Sequence, residues 1–119
     1  MADRRAIGRK YEEAAAGFLL ENGYDILARN YQNRFGEIDI IAFRDGVLVA
    51  CEVKYRSGPG YGDPLESVDF RKQKKICRTM LYYYTRHGYS GDTPCRFDVI
   101  AIYGDDTIKH LQNAFEFRS

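Results

Sequence analysis

Apolar residues recur along the chain with two different periods. Between Ile7 and about Asn22 they fall at helical spacing, as Ile7, Tyr11, Ala14, Ala15, Phe18 and Leu19, which predicts an amphipathic helix with one apolar stripe. Gly23 follows as a C′ residue. A strand is expected over Tyr24 to about Tyr31. From Glu37 the period becomes two: Glu37-Ile38-Asp39-Ile40-Ile41-Ala42-Phe43, then Arg44-Asp45-Gly46, then Val47 to Lys54. That pattern predicts a β-hairpin turning on Asp45-Gly46. Residues 57–64 hold three glycines and two prolines and predict a loop. Leu65 to about His87 predicts the second helix, with Gly88 beyond it, and Arg96 to Tyr103 another strand. Gly104-Asp105-Asp106 turns into a last short strand, Thr107 to Leu111. The expected order is α-β-β-β-α-β-β, a mixed β-sheet flanked by helices.

Composition narrows the class. A length of 119 residues with 45% hydrophobic and 29% charged residues fits one globular domain over 1–119. The longest apolar run, Val47 to Cys51, is far short of the roughly 20 residues of a membrane span. The first residues lack a secretory h-region, so a cytoplasmic protein is expected. Cys51, Cys77 and Cys95 cannot all pair with one another, and no Cys or His stands at zinc-site spacing. They are read as reduced thiols, and any metal is expected on oxygen ligands. The formal charge of +1 does not itself call for a polyanion. Basic charge is nevertheless local, in Arg4, Arg5, Arg9 and Lys10, and again in Arg71, Lys72, Lys74, Lys75 and Arg78.

The hairpin carries the chemistry. With a two-residue turn, Arg44 faces Val47, Phe43 faces Leu48, Asp39 faces Glu52 and Glu37 faces Lys54. Strand alternation then sets Glu37, Asp39, Glu52 and Lys54 on one face, and Ile38, Ile40, Cys51 and Val53 on the other. Opposed carboxylates repel unless a positive charge sits between them. A lysine or a hard divalent cation meets that need. Mg²⁺ or Mn²⁺ suits a small oxygen-only site completed by water and phosphate, and Lys54 is placed to assist a bound water or a phosphate oxygen. A cross-strand ion-pair ladder on a solvated face is the competing reading.

Asp39, Glu52-Val53-Lys54 and a preceding helix with Glu12 resemble the active-site pattern of the PD-(D/E)XK nuclease superfamily. More closely, Gly36-Glu37-Ile38-Asp39-Ile40-Ile41, Glu52-Val53-Lys54-Tyr55-Arg56, Arg96-Phe97-Asp98-Val99 and His110 followed by Asn113-Ala114-Phe115 resemble the YraN-like family of small bacterial proteins, uncharacterised protein family 0102. The resemblance covers nearly the whole chain and implies an α/β, restriction-endonuclease-like fold. It also implies metal-binding acids at Asp39 and Glu52, a catalytic lysine at Lys54 and a helix glutamate at Glu12. Tyr11 stands where the family tends to have glycine. At ~100° per residue Glu12 borders the apolar stripe and Glu13 points to solvent; an acid favoured by the helix dipole is the alternative role for Glu12.

On the second helix Ile76, Met80, Tyr83 and Tyr84 share a face that Lys72 and Gln73 flank. The resemblance gives Lys72 or Gln73 a contact with substrate or water. Arg71, Lys74, Lys75 and Arg78 form either a phosphate track or a solvated helix face, and Arg56 leads into the 57–64 loop, which would close over a backbone. Tyr82-Tyr83-Tyr84 offer either core packing or a stacking face. The expected function is a Mg²⁺-dependent nuclease on nucleic acid, DNA ahead of RNA and branched DNA included, with a homodimer left open. The alternative is a non-catalytic nucleic-acid-binding or protein-interaction module that retains the nuclease fold.

Overall fold

A computed structural model describes residues 4–56 and 68–117, with side chains from residue 6 onward. The order is α1 (Arg4–Glu21), β1 (Asp25–Asn33), β2 (Gly36–Arg44), β3 (Val47–Arg56), α2 (Phe70–Arg86), β4 (Cys95–Tyr103) and β5 (Ile108–Phe115). The strands form one mixed sheet in sequence order. β3 and β4 run parallel with α2 as their crossover, and every other pair is antiparallel. This is the mixed sheet and element order that the restriction-endonuclease-like resemblance implies. The expected 57–64 loop and the start of the expected second helix lie outside the described residues.

Each helix covers one face of the sheet. α1 buries Ala15, Ala16 and Leu19 against Ile40, Ala42, Val49, Cys51, Ile100 and Ile102. Its stripe starts at Tyr11, for Ile7 and Ala14 are exposed. On the opposite face α2 buries Ile76, Cys77, Met80 and Tyr83 against Ile38, Ile41, Leu48, Ala50, Phe97 and Val99. Asp69 caps α2, its carboxylate accepting from the Lys72 N–H at 2.9 Å, a bond that satisfies one of the helix's orphan donors. β2 and β3 are thus interior strands covered on both sides, as their apolar composition requires. No described helix is long and apolar enough to cross a membrane.

The hairpin has the expected register from Arg44↔Val47 to Ile40↔Cys51. Asp45 (φ +51°) and Gly46 (φ +79°) take the two positive φ values that a twist-matched two-residue turn requires. The simple alternation beyond Ile40 does not hold. Ile38 packs on the α2 face with Ile41, three positions away, whereas Ile40 packs on the α1 face. Strict alternation would put Ile38 with Ile40. β1 slips in the same place: Ala28 and Tyr31, also three apart, both pack on the α2 face. Between them stands Asn30 at φ +51°, a conformation Asn tolerates better than most residues. Arg29↔Ile40 and Tyr31↔Ile38 flank the slip, and Asp39 sits at its centre.

The last strand is longer than expected, reaching Phe115. Its pairing with β4 shifts between Phe97↔Phe115 and Val99↔Leu111, with Asn113 at φ +53°. The extra residues opposite Asp98 form a bulge, and its reason is the buried carboxylate described next.

Candidate active site

Beyond Ile40↔Cys51 the β2–β3 ladder stops, while β3 continues alongside β4 to Arg56↔Tyr103. In place of the Asp39–Glu52 ladder pair, Asp39 Oδ2 accepts the Val53 N–H at 2.8 Å. The carboxylate therefore stands at the fork where β2 and β3 part. The expected Glu37–Lys54 pairing is overturned with it. Glu37 is exposed and accepts from Gln32 Nε2 at 2.8 Å, because the slip at Asn30 and Asp39 breaks the period that would have put it on the site's face.

Glu52, Lys54 and Lys72 meet beside this fork. Glu52 is only 9% exposed. Its Oε1 accepts from Lys54 Nζ at 3.1 Å and from Lys72 Nζ at 2.9 Å. α2 supplies Lys72 through its first turn, which the Asp69 cap holds. Gln73, the other candidate, turns inward and donates to the Val68 carbonyl at 2.9 Å, so it fixes the entry to α2. Glu12 reaches the site through its charge, which acts on Asp39. Tyr11 stacks on Tyr55 with ring centroids 4.1 Å apart and so anchors this part of α1 over β3. Glu13 is exposed as expected and bridges to Arg29 Nη2 at 2.7 Å.

The charges are unevenly balanced. Burial first, then the charge of Glu52, pushes the Asp39 carboxyl up to about 7, against the Val53 N–H and Lys54, which favour the carboxylate. Burial and the neighbouring Lys72 lower Lys54 below the ordinary lysine range despite Glu52. Lys72 suffers burial too, yet its contacts with Lys54 and Glu52 raise it. Two amines sharing one carboxylate thus divide the proton load unequally, and Lys54 is the one readier to give up its proton. Among the described residues no three acidic, His or Cys side chains form a ready-made metal cluster. Asp39 and Glu52 are nevertheless hard oxygen donors of the kind Mg²⁺ accepts with several waters retained. At ~4 Å and an effective ε of ~20, one unit of opposite charge is worth about 4 kcal/mol, against about 1.4 kcal/mol per pKa unit. A cation there would return Asp39 to its carboxylate form, so the donor set fits.

The remaining expected contacts lie elsewhere. Arg71 and Lys75 are exposed on α2 and line a shallow groove with Phe70, Lys74 and Arg78. Arg56 closes β3, donating to the Tyr55 carbonyl at 3.1 Å. Tyr83 is core, its ring edge-on to Tyr31 at 5.1 Å. Half-buried Tyr84 donates to the Thr93 carbonyl at 2.8 Å.

A second polar cluster was legible only as a motif without a role. Asp98, 1% exposed, accepts Arg96 Nε and Nη2 at 2.9 Å each and the Asn113 N–H at 2.9 Å, and meets His110 Nε2 at 2.7 Å. Arg96 also donates to the Tyr24 hydroxyl at 2.7 Å. The Arg-x-Asp alternation in β4 was the available signal. It marks a buried charge that must be paired, and here β4 and β5 supply the partners.

The family model described as "Uncharacterised protein family UPF0102" matches residues 11–102. Similar proteins include a UPF0102 protein of Lachnoclostridium phytofermentans, 43% identical over 114 residues and 96% of each chain. One from Symbiobacterium thermophilum is 47% identical over 115 residues, 93% of this chain and 97% of its own. Another, from Persephonella marina, is 42% identical over 109 residues, 92% of each. Matched residues 11–102 take in Glu12, Asp39, Glu52, Lys54 and Lys72.

Proposed function

The chain belongs to the uncharacterised protein family UPF0102, whose name carries no activity, and from its own geometry we propose that it is a metal-dependent phosphodiester hydrolase acting on nucleic acid in the cytoplasm. One observation carries the reading: the Asp39 carboxylate stands at a strand fork, on the Val53 N–H, beside Glu52, Lys54 and Lys72. Burial and a neighbouring carboxylate that together push an acid's pKa toward neutrality are a pattern concentrated at functional sites. A hard divalent cation on Asp39 and Glu52 would supply Lewis acidity and lower the pKa of bound water. Lys54, readier than an ordinary lysine to give up its proton, takes one from the attacking water. Lys72 keeps its charge and stabilises the phosphate oxygens as negative charge grows on them. Glu12 strengthens the negative field at Asp39.

Labelled single-stranded, duplex, flap and four-way-junction DNA, and RNA, incubated with Mg²⁺, Mn²⁺ or EDTA, test this reading. Cleavage is expected with metal, absent in EDTA, and lost in folded Asp39→Asn and Glu52→Ala proteins. Metal-dependent cleavage retained by folded Glu52→Ala would refute the assignment. The second reading, a binding module that keeps the fold, draws on Glu52, which Lys54 and Lys72 already neutralise without a cation. Salt-dependent binding with no turnover in any metal would favour it.

A further inference from the structure

The β1–β2 turn and the flank of α2 beside it form a surface of one chemical kind. Asn33 and Gly36 pair across a two-residue connection, Arg34-Phe35, where such connections draw Asn, Asp and Gly. Turn chemistry does not account for an arginine and a phenylalanine there. The turn is fastened to α2. Asn33 Nδ2 donates to the Thr79 carbonyl at 3.2 Å, and Asn33 Oδ1 accepts the Phe35 N–H at 2.9 Å.

This docked tip meets the helix through rings and guanidinium groups. Phe35 and Tyr82 lie 6.0 Å apart between centroids, at 56°. The Arg34 guanidinium stands 4.9 Å over the Phe35 ring and that of Arg86 5.9 Å over Tyr82. Neither ring belongs to either core cluster. A groove of about 370 Å³ runs between them and Arg78. Arg78 also borders an adjoining groove of about 460 Å³ that holds Arg71, Lys74 and Lys75. Among the described residues no acid lines either groove. At ~100° per residue, Lys72, Lys75, Tyr82 and Arg86 fall within an arc of ~80° on α2. From Lys72, at the site, to Tyr82 the axis advances ~15 Å.

Cations alone would suit any phosphate backbone. Half-buried rings that line a groove can stack with bases whose own faces are exposed, and a duplex hides those faces in its stack. We propose that Phe35 and Tyr82 stack unpaired bases while Arg34, Lys75 and Arg78 hold the backbone, which makes the substrate class nucleic acid with a single-stranded segment that runs along α2 toward Lys72. The inference rests on the nucleic-acid reading above and adds the strand state.

Anisotropy of a labelled single-stranded DNA of about 20 nucleotides, a length above one typical site size, and of the matching duplex tests it in EDTA, where no cleavage is needed. Wild type is expected to bind the single strand more tightly. Phe35→Ala and Tyr82→Ala should each weaken single-strand binding about tenfold with a change of less than about twofold for duplex, and Arg78→Ala should weaken both and flatten the salt dependence. Phe35→Leu keeps the bulk without the ring and should behave as Phe35→Ala, which guards against a folding effect. Equal or preferred duplex binding, no binding to either DNA, or ring variants that bind the single strand as wild type does would each overturn the proposal. Single-strand binding without cleavage in any metal defeats the hydrolase reading alone. Metal-dependent duplex cleavage untouched by the ring variants defeats this one alone.

Discussion

Burial and the charge of Glu52 raise Asp39 to about 7, which sets a sign for its pH dependence. An aspartate free in the unfolded chain ionises near 3.9, so between about pH 4 and 7 the folded protein holds a proton that the unfolded chain has released. Stability from this group is therefore lost as pH rises through that window. A divalent cation at Asp39 and Glu52 binds the ionised form and reverses the trend. The Mg²⁺-induced rise in melting temperature should be small at pH 5.5 and larger at pH 8, and Asp39→Asn should abolish the difference. Thermal melts with and without Mg²⁺ at the two pH values check this. An equal rise at both, or none at pH 8, would count against Asp39 as a ligand.

Among elements, the hairpin was the most legible, because Asp45-Gly46 admits one turn type and that turn fixes the register outward to Ile40↔Cys51. The chemistry beyond it was legible as a set of residues but not as a geometry. Asp39, Glu52 and Lys54 do gather, yet by a strand fork and not by a ladder pair. The cause is a phase slip shared by two strands, and only a lone Asn30 in β1 hinted at it. Choosing Lys72 over Gln73 also needed the structure, since both flank the apolar face and only the Asp69 cap and the line of α2 across the sheet decide which reaches Glu52. Turn Arg34-Phe35 escaped a periodicity reading altogether because neither residue is a turn former. How tightly that turn seats on α2 is testable. Gly36 has φ +154°, and an added Cβ would lie 3.1 Å from Thr79 Oγ1 and 3.8 Å from the Lys75 Cβ. Gly36→Ala should lower stability by about 1–3 kcal/mol, read as a lower urea midpoint at unchanged m. An unchanged midpoint would show that the turn has room to move.

Across the whole molecule the two inward-facing aspartates have opposite electrostatics, and this separates architecture from chemistry. Asp98 is buried, which opposes its charge, but the hydrogen bonds from His110, Arg96 and Asn113 outweigh that and hold its pKa below the ordinary value. Its contribution is present above about pH 4, the unfolded value, and is lost as pH falls through the lower folded value. These bonds join β4, the bulge of β5 and, through Arg96 and Tyr24, the chain just after α1. They fasten the last strand and the first helix to the sheet's middle. Removing one partner of a buried charge set leaves the others uncompensated, at a cost of about 3–5 kcal/mol. Asp98→Ala should thus lower the urea midpoint severely at pH 7. At pH 8 Asp39→Asn, which keeps an acceptor for the Val53 N–H and removes a repelled charge, should leave the midpoint unchanged or raise it. If Asp98→Ala melts like wild type while Asp39→Asn unfolds, the roles assigned to the two carboxylates are exchanged, and the hydrolytic reading of the strand fork fails with them.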